Sequence, residues 1–139
     1  MKPITSIQNS TEYHAAVGRV MCFCQCIEQD IKAILRVKAK EAKTILPPES
    51  KTWTLGQVVH ELEEIDYKTP KPFFSKNDYA FLRKLTHLRN HYAHQCYLDW
   101  VHASSTARKE EFDRSAEKLI KDHNNLQKLF ELLEKTVRG

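Results

Sequence analysis

The strongest constraint on the fold lies in residues 11–40, where Tyr13, Val17, Val20, Cys24, Ile27, Ile31 and Ile34 recur at steps of three and four. Side chains at those steps fall on one side of an α-helix, so the spacing predicts one long amphipathic helix with a single apolar stripe. No proline occurs between Pro3 and Pro47, and Gly18 is the only glycine in the run. The Asn9-Ser10-Thr11 triplet offers caps for the first turn. The Pro47-Pro48 pair ends the region, because proline cannot continue a helix.

The same period returns three times. In "TWTLGQVVHELEEI", Thr54 followed by Gln57 has the spacing of a capping box, and Leu55, Val58, Val59 and Leu62 form an apolar face. "DYKTPKPFF" reads as a loop. Ser75 with Asp78 then opens a third helix, expected to run through Trp100. The "ASSTARKEEF" segment offers caps for a fourth, with the stripe Phe112, Ala116, Leu119, Leu126, Phe130, Leu133 and Val137 and with His123 filling the gap. With only three glycines and five prolines, the chain lacks the turn residues an all-β protein of 139 residues would need. The expected fold is therefore all-α: an up-and-down bundle of about four main helices, in one domain spanning residues 1–139.

Charge narrows the function only a little. The net charge of +4 is interspersed along the chain, which suits a solvated surface and allows a phosphate-bearing partner. No stretch approaches the ~20 apolar residues of a membrane helix, and the first residues contain no apolar run. The expectation is a cytoplasmic protein without membrane contact, its four cysteines reduced. In "MCFCQC", Cys22 and Cys26 share a helix face while Cys24 points away, so the three cannot close on one zinc and are expected to pack as small apolar groups.

The chemistry concentrates in "HLRNHYAHQCY", residues 87–97. His87, His91 and His94 gather on one side of the third helix, and His87 with His91 has the i, i+4 spacing that can chelate a metal. No carboxylate joins them on that face and the HExxH pattern is absent, so no metal and no cofactor are expected. Arg89 lies about 140° round from His94, on the side that carries Leu82, Leu85, Tyr92 and Cys96. An arginine among apolar residues is costly unless its guanidinium is paired or opens into a cleft. Spacing leaves both readings open: a groove edged by Arg89, Asn90 and His94, or an arginine paired inside the bundle.

The run "LRNHYAH" resembles the signature of the HEPN superfamily of small helical nucleases and nucleotide-associated proteins: arginine, a polar residue that is often asparagine, three variable residues, then histidine. Arg89, Asn90 and His94 fill the three specified places, late in a helix and after a long first helix and a short "TLGQVVHELEE" element. The resemblance implies a metal-independent endoribonuclease acting as a homodimer, in which the motif helices of two subunits border one RNA cleft. It implies His94 as general acid or base, Arg89 as phosphate clamp and Asn90 as an orienting group. Histidine, with an ordinary pKa of ~6.5, suits proton transfer from a ribose 2′-hydroxyl, and arginine suits bidentate phosphate binding. Products would carry a 2′,3′-cyclic phosphate, or its hydrolysed form, and a 5′-hydroxyl. The resemblance also implies a role as a toxin or phage-defence effector, with an antitoxin or nucleotidyltransferase partner. In the toxin branch a tyrosine that receives a nucleotide stands two residues after the histidine; here that place holds Cys96, with Tyr97 one later, so the modification is not carried over. Tyr92 and Tyr97 read as packing or base-stacking aromatics. The alternative is a non-catalytic HEPN module that binds nucleotides or a partner protein.

Overall fold

A computed structural model describes residues 2–138. The protein is all-α. Its helices are α1 (Ser10–Glu41), α2 (Leu55–Asp66), α3 (Lys76–His94), the four-residue α4 (Leu98–Val101) and α5 (Arg108–Leu133), with a 3-10 turn at Pro48–Thr52 before α2. Among the described residues there is no strand, and no helix is long and apolar enough to cross a membrane.

The starts of α1, α2 and α3 follow from their own residues, whereas α4 and α5 begin after Tyr97 and Ala107 without a side-chain cap, although the segment before α5 offered several. Asn9 caps α1, its Oδ1 accepting from the Glu12 N–H at 2.9 Å, and Glu12 reaches back to the Gln8 N–H at 2.8 Å. The Thr54–Gln57 capping box forms as its spacing predicts. Ser75 and Asp78 form a second: the Ser75 N–H donates to the Asp78 carboxylate and the Asp78 N–H donates to Ser75 Oγ, both at 3.1 Å.

The end of α1 agrees with expectation and the end of α3 does not. α1 stops at Glu41, well before the proline pair. Lys43 there takes φ 55°, the Lys43 N–H donates to the Lys40 carbonyl and the Thr44 N–H to the Ala39 carbonyl. That is a Schellman close, built on lysine where glycine would carry no Cβ penalty. α3 stops at His94 instead of continuing through Trp100. Neither proline nor glycine breaks it. The His91 carbonyl accepts from both the Gln95 and the Cys96 N–H, and the Cys96 carbonyl is taken by the Tyr13 hydroxyl at 2.7 Å. The turn that follows lets Tyr97 and Trp100 pack on Tyr13, at ring separations of 5.4 and 5.3 Å. Long-range aromatic burial overrides local helix propensity here.

The chain packs as two compact units, one of Met1–Cys26 with His87–Gly139 and one of Ile27–Thr86. In the first, Tyr13, Val17, Val20, Cys24, Tyr92, Cys96, Ala116, Leu119, Leu126 and Leu133 are buried. In the second, the core holds Ile27, Ile31 and Ile34 with the α2 face Leu55, Val58, Val59 and Leu62 and with Tyr79, Leu82 and Leu85. Each fully buried aliphatic side chain contributes about 1.5–3 kcal/mol. All seven residues of the predicted α1 stripe are buried. On the last helix, Val137 is exposed because the chain leaves α-helical winding at Glu134 for a π-helical turn, which rotates later residues off the stripe. No disulfide joins the four cysteines; Cys24 and Cys96 pack in the core, while Cys22 is exposed and Cys26 partly so.

Candidate active site

The site residues sit on the last turns of α3, within the unit formed by the chain's two ends. Asn90 and His94 are exposed and one helical turn apart. Arg89 is half-buried and engaged within the fold, as an arginine on an apolar face must be. The end of α3 at His94 leaves that imidazole in the final turn of the helix rather than mid-helix.

What holds this helix end is a polar cluster that spacing along the chain does not reveal. The buried Tyr92 donates its hydroxyl to Asp122 at 2.5 Å. Lys118 donates to the same carboxylate at 2.6 Å and lies 5.4 Å over the Tyr92 ring. Burial and the bond to Asp122 raise the Tyr92 pKa, so the phenol stays protonated and serves as a donor. His91 packs edge-on against Tyr92 at 4.8 Å. Its pKa is lowered, first by burial and then by the nearby Lys118 ammonium, so it favours the neutral form. Lys118 and Asp122 stand at i, i+4 on α5, but nothing local in the sequence marks their meeting with Tyr92.

The histidine row does not converge. His87 and His94 are exposed and His91 is half-buried. Among the described residues, the metal-ligand types whose donor atoms gather within 4.8 Å of one another are His60, Glu61 and Glu64 on α2.

Two further histidines of the same unit are hydrogen-bonded within the fold. His14 Nδ1 and the Tyr97 hydroxyl are 2.8 Å apart. His123, 1% exposed, is the filler of the α5 stripe, and its surroundings assign its tautomer. Arg19 Nε donates to His123 Nε2 at 3.0 Å, so Nδ1 carries the proton and donates to Asn124 Oδ1 at 2.9 Å. Asn124 in turn holds the Ile4 backbone through both its amide groups. Burial lowers the His123 pKa from 6.5, and the Arg19 charge lowers it further. The unfolded chain thus binds this proton more readily than the folded one. The stability His123 preserves is fully present above pH 6.5 and is lost as pH falls through the depressed folded value, by up to about 1.4 kcal/mol per pH unit. Thermal melts from pH 7.5 to 5 should show a falling midpoint, and His123→Gln should flatten that slope; an equal slope in the variant would remove His123 as its source.

Fold and site together define an all-α protein that carries an Arg–Asn–His set at the end of one helix. In comparisons with protein-family models, curated proteins and solved structures, nothing matches this chain.

Proposed function

We propose that the protein is a metal-independent endoribonuclease that works as a homodimer. The observation that carries this reading is the Arg89–Asn90–His94 set, with Asn90 and His94 open to solvent on the closing turns of α3. Exposure is what a proton-transfer group needs in order to meet a substrate. Arg89 and His94 point about 140° apart on one helix, a poor grip on a single phosphate. Two copies related by a twofold axis would bring one pair of each kind to a shared groove.

In the reaction, a neutral His94 imidazole takes the proton from a ribose 2′-hydroxyl. The 2′-oxygen forms a bond to the adjacent phosphorus as the bond to the 5′-oxygen breaks. The leaving 5′-oxygen receives a proton from the His94 imidazolium of the second copy. The products are a 2′,3′-cyclic phosphate and a 5′-hydroxyl, with no net change in protons. A guanidinium has five N–H donors, so Arg89 can keep its contact in the fold and still clamp phosphate oxygens. Asn90, one turn from His94, would orient the imidazole or the phosphate. The resemblance extends this reading to a cytoplasmic toxin or phage-defence effector restrained by an antitoxin or nucleotidyltransferase partner.

The half-burial and engagement of Arg89 favour a second reading, a non-catalytic module in which that arginine is structural. One experiment separates them. Purified protein is incubated with RNA in EDTA, alongside Arg89→Lys and Arg89→Ala, with melting temperatures and light-scattering masses in parallel. The nuclease reading expects chelator-resistant cleavage, a mass twice the 16.3 kDa of one chain, and an Arg89→Lys protein that melts normally yet cuts slowly. Activity that requires added zinc or manganese would overturn metal independence. Normal cutting with a large drop in melting temperature would assign Arg89 to the fold.

A further inference from the structure

Ile45, 94% exposed, and Val37, 63% exposed, are the two most exposed large apolar side chains among the described residues. Both belong to the Ile27–Thr86 unit, where α1 ends. A single exposed apolar residue is ordinary, but these two stand beside a pair of cavities of about 440 Å³ each. Val37 lines one of them, and Ile45 sits in the chain between Thr44 and Leu46, which line it too.

Arg36 and Leu46 line both cavities, which therefore adjoin. The left-handed turn at Lys43 brings Leu46 there, with the Thr44 N–H held by the Ala39 carbonyl at 2.8 Å. The apolar surface of one cavity comes from Val37 and Ala39, and that of the other from Leu35 and Val58. The charge around them has one sign. Lys32, Arg36 and Lys40 step by four along α1 and so form a row with about 6 Å between neighbours along the axis. Lys51, from the 3-10 turn, joins Lys32 and Arg36 in the second lining. Lys32 is held by Glu28 at 3.6 Å, whereas no ion pair engages Arg36, Lys40 or Lys51 among the described residues. No aspartate, glutamate or aromatic residue lines either cavity.

We propose that this face docks an acidic amphipathic helix of a partner protein, its carboxylates along the Lys32–Arg36–Lys40 row and its aliphatic side chains in the two cavities. Charge complementarity selects the acidic partner, because the row has cations to offer and no carboxylate of its own in the lining. The one-turn step of the row selects a helix, whose acids at every fourth position keep the same spacing. An extended segment would leave its backbone groups without partners, since no strand among the described residues offers an edge. The aliphatic lining argues against a nucleic acid: there is no ring on which to stack a base, and a phosphate backbone gains nothing from Ile45 and Val37. None of Arg89, Asn90 and His94 takes part, so the inference is independent of the cleavage reading.

The test follows the fluorescence anisotropy of a labelled helical peptide of about 18 residues as the full chain is added. The peptide carries glutamate at every fourth position and leucines on the adjoining face. Saturation in the micromolar range is expected. Arg36→Glu with Lys40→Glu should weaken binding about tenfold or more, and a peptide with lysine in place of glutamate should recover that loss. Ile45→Ser should weaken binding about tenfold by removing apolar contact. All three positions are exposed, so the variants should melt with the unmodified chain. Four results would each overturn the proposal. The first is no saturation at about 100 µM chain. The second is an unchanged midpoint in the charge-reversed variant. The third is equal binding of a scrambled peptide of the same composition, which would leave only a patch of charge. The fourth is tighter binding of phosphatidylserine vesicles or single-stranded DNA than of the peptide, lost in the charge-reversed variant, which would assign the face to a membrane or a nucleic acid.

Discussion

His94→Ala is expected to slow RNA cleavage by about 10²–10⁴-fold, the usual contribution of a general acid–base group. The loss should appear in kcat, because the imidazole acts on the proton in flight rather than on substrate binding. His94 is exposed in the last turn of α3, so the melting temperature should move by no more than a surface substitution allows, within about 0.5 kcal/mol of stability. Those two readouts together separate chemistry from folding. Full cleavage by the His94→Ala protein, measured on the same RNA in EDTA, would remove His94 from the mechanism and with it the nuclease assignment.

Asp66→Ala should cost about 3–5 kcal/mol of stability, the scale for breaking a buried ion pair from one side. Asp66 closes α2 and is 0% exposed. Its carboxylate accepts from the Phe73 N–H at 2.8 and 3.0 Å, from the Phe74 N–H at 3.1 Å and from the Tyr79 hydroxyl at 2.6 Å. Lys38 Nζ lies 3.4 Å away and also donates to Thr69 Oγ1 and the Lys71 carbonyl. One side chain thus ties the loop after α2 to α1 and to the start of α3. Without it, three donors are left short of an acceptor and the Lys38 ammonium keeps Glu41, at 3.4 Å, as its carboxylate partner. The melting temperature should fall by about 10 °C or more for a chain of this size. On a Lys38→Met background the same substitution should cost distinctly less, since no buried ammonium then loses a carboxylate partner. A loss under about 1 kcal/mol in the Lys38-containing protein would show that this network adds little to stability.

The candidate site was legible in part, for a definite reason. Arg89, Asn90 and His94 are neighbours in sequence, so a helix places them without help from the rest of the chain. Its place among Leu82, Leu85, Tyr92 and Cys96 left Arg89 open to two readings, a groove edge or an arginine paired inside the bundle; the fold makes it half-buried and engaged. The Tyr92–Asp122–Lys118 cluster behind them joins residues thirty positions apart and left no local signal. The cavities beside Arg36 are likewise out of view, since they take Leu46, Lys51 and Val58 from segments outside α1. No period or motif connects Lys32 to Lys51.

The stripes of α1 and α2, the caps at Thr54 and Ser75 and the all-α class were determined by sequence alone, because each depends on contacts within a few residues. Tertiary structure decided where α3 ends. Nothing between Gln95 and Tyr97 breaks a helix by its own preference. The chain turns there because Tyr13, more than eighty residues earlier, takes the Cys96 carbonyl and because Tyr97 and Trp100 gain aromatic packing on that same ring. Tertiary structure likewise decided that His123 is a buried neutral imidazole and that Asp66 is a loop anchor, since a side chain's partners across space set its burial and its protonation, and spacing along the chain does not carry that information.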